Sequence, residues 1–308
     1  MCSKTNALGV KTIITSPKFD YLWEELSQKL DISRADVRME TFPDWTPNLY
    51  IEKDDVKNKI ATVLLDFSDI KDLFINYALL QWLVDYKVEA LNIIMPYFPV
   101  WTMERVWKPW EVATAHTLAN IISNLPSGKW WRKNNLHILD LHAEVEEFLF
   151  DAKNINIETY SAFELLKEEI QWKTIIFPDA GAAKRFENSF PNNPKVICSK
   201  KRVWGERIIE ILEWEIDWEN WIIMDDLIQT WGTIIQTAKA LKKLWAKNIE
   251  AFATHWVFPN NSHINMAKNL DKLITTDSIP ENVNRAQNIE NMEIVWIKKL
   301  IEKIILEN

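Results

Sequence analysis

Six short apolar runs, at residues 62–65, 91–95, 137–139, 174–177, 221–224 and 249–253, read as β-strands. Helical patterns lie between and after them, at 72–87, 111–124, 233–244 and 296–306. In the segment 233–244, Ile234, Ala238 and Leu241 fall on one face of a helix. Strand runs that alternate with helical patterns leave few architectures open. The chain is predicted to be an α/β protein. No low-complexity linker divides it, and the boundary signal falls at "DAKNIN", residues 151–156. Two domains are therefore expected, 1–155 and 156–308.

The two halves echo each other. "LLDFSDIKDLFINYALLQWLVDYKVEALNIIMPYF" parallels "IMDDLIQTWGTIIQTAKALKKLWAKNIEAFATHWVF". Asp66 to Phe98 spans the same 32 positions as Asp226 to Phe258, an offset of 160. Strand, acidic turn, helix and strand recur in both. Two copies of one α/β unit explain this, the second keeping a ligand turn that the first has lost. Chance likeness between two βαβ units is the alternative.

Such a chain needs glycine at tight turns and helix ends, because only glycine takes positive φ without a Cβ penalty. It has 5 glycines and 17 tryptophans, together 22. Average glycine usage, about 7%, would give roughly 22 in this length. Many of the tryptophans sit where backbone physics asks for glycine. Trp45 lies in "FPDWTPN", Trp107 and Trp110 in "VWKPWE", and Trp130 and Trp131 in "PSGKWWRKNN". Trp245 takes the place of a helix C′ residue, and Trp231 interrupts a phosphate-type turn. We therefore read most of these tryptophans as glycine positions, the mark of a UGA codon that encodes glycine. A tryptophan-rich core is the competing account. Trp23 and Trp82 fit helices as genuine tryptophans, and Trp214, Trp218 and Trp221 have the spacing of a helical stripe.

Charge narrows the partners. A net charge of −8 and a pI near 5.3 speak against nucleic acid or an anionic membrane. Cys2 and Cys198 form neither a disulfide framework nor a metal spacing, which suits a reducing, cytoplasmic setting. No apolar run approaches the ~20 residues of a membrane span, and "MCSKTNALGVKTIITS" lacks a signal-peptide core.

The chemistry concentrates in "IIMDDLIQTWGT". Asp225 and Asp226 are expected to leave the C-terminal end of a strand, where open α/β sheets bind ligands. A carboxylate pair there can accept hydrogen bonds from a vicinal diol, directly or through Mg²⁺. Thr230 to Thr233 then wrap onto a helix N-terminus, where backbone N–H groups and the helix dipole favour a phosphate. A diol and a phosphate at that separation describe a ribose 5-phosphate. An acidic loop with a threonine N-cap is the plain alternative.

That segment resembles the phosphoribosyl-pyrophosphate-binding signature shared by type I phosphoribosyltransferases and ribose-phosphate pyrophosphokinases. Five further segments are similar to the pyrophosphokinases in collinear order: "FPDWTPNLYI", "LDLHAEVEEFLF", "FPDAGAAKRF", "ICSKKRVWGERI" and "TTDSIP". "PYFPVWTMERVWKPWEVATAHTLA" and "THWVFPN" look most like the class II enzymes known from plants. In that likeness Trp45, Trp101, Trp204, Trp231 and Trp256 fall at or near glycine positions.

The resemblance implies two tandem type I phosphoribosyltransferase-like domains, each a mainly parallel sheet flanked by helices. It implies transfer of the diphosphoryl group of ATP to the C1 hydroxyl of ribose 5-phosphate. Lys200 and Arg202 match the catalytic residues of a flexible loop, with Lys201 an alternative if the register slips. His142 and Asp179 match the ligands of the Mg²⁺ that carries ATP. Asp225 and Asp226 would hold the ribose diol, and Gln229, Thr230, Trp231, Gly232 and Thr233 the 5-phosphate. Phe42, Asp44, Thr46 and Arg105 fall in the nucleotide-binding segments. Phe42 would contact adenine from a neighbouring subunit of a homo-oligomer, or belong to the core. Thr102 and Met103 stand where class I enzymes carry an Arg-Gln pair, and Thr46 replaces a usual glutamate. A type I phosphoribosyltransferase and a non-catalytic regulatory homologue are the competing readings.

Overall fold

The computed structural model describes residues 11–308, except 45, 70, 71, 87, 107, 129–131, 142–148, 204, 205, 215–218, 230 and 245. At 200–203, 206–208, 213, 214 and 231 it describes the backbone alone. The chain forms two compact units, Met1–Tyr160 with Lys298–Asn308, and Ser161–Ile297.

The first unit contains β1 (Lys11–Thr15), α1 (Asp20–Leu30), β2 (Ser33–Arg34), β3 (Val37–Thr41), β4 (Pro47–Ile51), α2 (Lys53–Val56), β5 (Ile60–Leu64), α3 (Leu73–Asp85), β6 (Ala90–Met95), α4 (Thr114–Ser123), β7 (Asn134–Leu139) and β8 (Ile155–Tyr160). Its main sheet has the order β2-β1-β5-β6-β7-β8, and every pairing is parallel. A parallel sheet is covered on both faces, so its inner strands are apolar throughout rather than alternating. The strands "IATVL" of β5 and "ALNIIM" of β6 are accordingly buried along their whole length. β3 and β4 stand apart as an antiparallel hairpin.

The second unit contains β9 (Thr174–Phe177), α5 (Ala180–Phe186), β10 (Lys195–Val203), β11 (Glu206–Trp214), β12 (Asn220–Ile228), α6 (Trp231–Lys242), β13 (Asn248–Trp256), α7 (Ser262–Ala267), β14 (Lys272–Thr276), α8 (Glu281–Ala286) and β15 (Met292–Val295). Its sheet has the order β11-β10-β9-β12-β13-β14-β15, parallel except for the antiparallel β10–β11 pair. α6 buries the expected stripe, Ile234, Ala238 and Leu241, with Ile235 beside it. Each large aliphatic side chain so buried contributes roughly 1.5–3 kcal/mol, which outweighs the modest helix propensity of this segment.

All six strands read from sequence are present, with ends shifted by up to four residues, and so are the four helices, with ends shifted by one to three. Four features differ from expectation. β8 pairs with β7, so the first unit runs to Tyr160 rather than 155. The final helix, α9 (Lys298–Glu307), belongs to the first unit. Its Lys298 pairs with Glu25 at 2.7 Å, its Glu302 with Lys29 at 2.5 Å, and Lys11 donates to the Ile305 carbonyl at 2.6 Å. Trp214 and Trp221 lie on strands, β11 and β12, and form no helical stripe; Trp218 lies outside the described residues. Trp23 and Trp82 do lie on helices, α1 and α3. Finally, the segment of Lys200 and Arg202 is no open loop. It forms a ladder with β11, Lys200 opposite Ile209 and Arg202 opposite Arg207. The β-branched pairs in "ERIIEILEW" favour that extended pairing over a coil.

Candidate functional site

The acidic cluster of the second unit is built by two neighbouring strands and the helices that follow them. β9 ends at Phe177, and Asp179 caps α5 by accepting a hydrogen bond from the Ala182 N–H at 3.0 Å. β12 runs beside β9 and carries Asp225 and Asp226. The expectation that both acids leave the strand end is corrected, since β12 continues to Ile228 through its pairing with Trp256 of β13. Successive residues of a strand face opposite ways, and the two carboxylates differ in burial. Asp226 has a fully buried side chain, whereas that of Asp225 is 17% exposed.

Arg185 of α5 reaches across to them. Its Nη2 donates to Asp226 Oδ1 at 2.9 Å and lies 4.0 Å from Asp225 Oδ1. Its Nε is buried with no acceptor among the described residues. Burial drives the Asp225 carboxyl well above the usual carboxylate range; the Asp226 and Asp179 charges add to this and Arg185 opposes it. Two carboxylates, Asp225 and Asp226, thus lie within 4.0 Å of one guanidinium. Sequence reasoning missed Arg185. Its signal was present in "PDAGAAKRF", six residues after Asp179 and in the last turn of the helix that Asp179 caps.

The turn after β12 leads directly into α6. Gln229 is exposed, Thr230 lies outside the described residues, and the Trp231 side chain is not described. Thr233 is half-buried in the first turn. A Cβ on Gly232 would meet nothing within 4 Å among the described residues. The "TTDSIP" segment closes the neighbouring strand end with bonds from its side chains to the backbone. Thr276 and Ser278 hydroxyls donate to the Thr254 carbonyl at 2.8 and 2.9 Å, and Asp277 accepts from the Ile297 N–H at 2.7 Å.

The nucleotide candidates lie in the first unit. Phe42, Asp44 and Thr46 form the tip of the β3–β4 hairpin. Phe42 is 51% exposed, which removes it from the core. Asp44 accepts from the Thr46 hydroxyl at 2.6 Å and from the Thr46 N–H at 3.1 Å, and these bonds hold its carboxyl below the usual range. Arg105 is exposed and pairs with Glu104 at 3.1 Å. His142 lies outside the described residues, as do Trp45, Trp107, Trp130, Trp131, Trp204 and Trp245.

Among the described residues no group of three or more His, Cys, Asp or Glu side chains is placed to hold a metal ion. No helix among them is long and apolar enough to cross a membrane.

Comparison with known proteins gives a consistent result. No family model matches the chain. Ribose-phosphate pyrophosphokinase 3, chloroplastic, from Oryza sativa subsp. japonica is 32% identical over 280 residues, covering 86% of this chain and 68% of that protein. Ribose-phosphate pyrophosphokinase 4 from the same plant is 31% identical over 291 residues, covering 88% and 89%. Ribose-phosphate pyrophosphokinase of Mycoplasma genitalium is 26% identical over 314 residues, covering 96% and 90%. The fold matches phosphoribosylpyrophosphate synthetase from Mycobacterium smegmatis with a TM-score of 0.80 at 18% identity, over 96% of this chain and 97% of that one. With identity above 30% carried through both units of a shared two-domain α/β fold, this chain belongs to the ribose-phosphate pyrophosphokinase family.

Proposed function

We infer that the chain is a ribose-phosphate diphosphokinase, which converts ATP and ribose 5-phosphate into phosphoribosyl pyrophosphate and AMP. One observation carries this: its similarity to ribose-phosphate pyrophosphokinases runs through both units, not only through the signature turn that phosphoribosyltransferases share. The C1 hydroxyl oxygen attacks the β-phosphorus, the bond from that phosphorus to the α–β bridging oxygen breaks, AMP departs, and the hydroxyl proton is released. Negative charge builds on the transferred oxygens, so catalysis is positioning and cationic stabilisation.

The roles follow the resemblance. Asp225 and Asp226 orient the ribose hydroxyls, and the first-turn N–H groups of α6, from Thr230 through Thr233 with Gln229, hold the 5-phosphate. Lys200 and Arg202 stabilise charge on the migrating group. Phe42, Asp44, Thr46 and Arg105 serve the nucleotide, with a homo-oligomer completing that site. The carboxylates of Asp179, Asp225 and Asp226 are the hard oxygen donors that Mg²⁺ takes one or two at a time, waters completing its shell, although no three described side chains form a ready site. When bound, the ion neutralises and aligns the phosphates; the resemblance gives Asp179 as a ligand, and His142, the other match, lies outside the described residues. A cytoplasmic setting and the plant-type class II relationship belong to the same reading.

So does the reassigned codon. Trp110 supports it, standing at φ 71° with its side chain 98% exposed, where an aromatic residue contributes strain and no packing. Trp101 and Trp256 are fully buried, but the backbone beside Trp101 is strained at Val100, φ 64°, and Phe258 after Trp256 has φ 47°.

AMP release from ATP, measured with and without ribose 5-phosphate and Mg²⁺, tests the reading. Release that depends on both is expected. Lys200→Ala should lower turnover by orders of magnitude with the fold intact; full activity in that variant moves the role to Lys201.

A further inference from the structure

The two units carry the same buried ion pair. In the first, β5 lies between β1 and β6; in the second, β12 lies between β9 and β13. At the offset of 160 found in the sequence, Asp66 corresponds to Asp226. Each is a fully or almost fully buried carboxylate beyond or near the end of the equivalent strand, and each is met by a cation from the segment after the neighbouring strand. Lys18, after β1, binds Asp66 Oδ2 at 2.6 Å; Arg185, after β9, binds Asp226 Oδ1 at 2.9 Å. The residue before the acid differs. Asp225 corresponds to Leu65, which is fully buried. The position of Gly232 corresponds to Asp72, whose carboxylate pairs with Lys18 at 3.1 Å and places negative charge at the helix start where an anion would sit. The first unit therefore keeps the cation–acid pair while lacking Asp225 and the open glycine. A pair that persists without the ligand turn belongs to the scaffold.

We propose that Arg185 is a positioning residue for the sugar site. Its guanidinium fixes and neutralises Asp226, so that Asp225 becomes the carboxylate that meets the ribose hydroxyls. This rests on the diphosphokinase reading above. The rival role is a direct grip on a substrate phosphate through the unpaired Arg185 Nε–H.

The test uses the full chain, with steady-state kinetics in both substrates and calorimetric titration with ribose 5-phosphate alone. Arg185→Met should raise KM for ribose 5-phosphate about tenfold or more and leave KM for ATP within about twofold. Arg185→Lys should recover ribose 5-phosphate affinity to within about threefold, because Lys18 already performs this role in the first unit. A rise in KM for ATP alone, no rescue by lysine in a folded variant, or no change in either constant overturns the proposal. Should Arg185→Met fail to fold, the neutral pair Arg185→Gln with Asp226→Asn replaces it. That double variant should lose less ribose 5-phosphate affinity than Asp225→Asn, and the opposite ranking overturns the proposal. If the wild-type chain binds ribose 5-phosphate but forms no AMP, the diphosphokinase reading fails instead. The calorimetric ranking of the same variants then still decides the role of Arg185.

Discussion

Replacing tryptophan by glycine is normally among the most damaging changes a protein can suffer, and here two such changes should have opposite consequences. Trp110 has φ 71° and is 98% exposed. Glycine there relieves a left-handed conformation that costs a non-glycine residue roughly 1–2 kcal/mol. It removes no packing, because almost nothing of the indole is covered. Against this stands the added freedom of glycine in the unfolded chain, about 0.5–1 kcal/mol. Trp110→Gly should therefore leave stability unchanged or raise it by up to about 1 kcal/mol. Trp221 is 1% exposed within β12, in the core of the second unit. Its loss empties a large buried volume and puts glycine inside a strand. Trp221→Gly should cost more than about 4 kcal/mol. Urea unfolding followed by circular dichroism measures both. A fall of more than about 1 kcal/mol for Trp110→Gly would refute the reasoning that its backbone conformation outweighs its side chain.

Three further outcomes are expected. Lys18→Met strands the buried Asp66 carboxylate, although its bond from the Ser68 N–H at 2.8 Å remains. Because Lys18 is 34% exposed the loss should be about 2 kcal/mol, below the usual cost of breaking a buried pair, and adding Asp66→Leu should recover most of it in the same unfolding assay. Burial, with some help from the Asp179 charge, pushes the Cys198 thiol up to about 11, so iodoacetamide at pH 8 should modify it only after denaturation, as peptide mass spectrometry would read. Burial holds the His137 imidazole below its usual value, with Glu158 at 3.3 Å opposing. The unfolded chain then binds the extra proton first, so this group favours folding above pH ~6.5 and loses that contribution as pH falls toward its folded value. His137→Leu should flatten the decline of melting temperature between about pH 6.5 and 5, and an unchanged slope would exclude His137 as its source.

Sequence alone determined the α/β class and placed six strands, because strands covered on both faces must be apolar throughout and so stand out against amphipathic helices. It also marked two adjacent acids and the helix start that follows them, since that pattern lies within twelve residues. The polar β10–β11 ladder was not legible, because an edge pair is held by backbone bonds that any residue can make. Nor was the destination of α9, since an amphipathic face does not name the surface it covers. The unequal burial of Asp225 and Asp226 was equally hidden. Two adjacent acids look identical in sequence. Only the tertiary structure shows that Arg185, forty-one positions before Asp226, bonds that buried acid at 2.9 Å and stays 4.0 Å from the partly open Asp225.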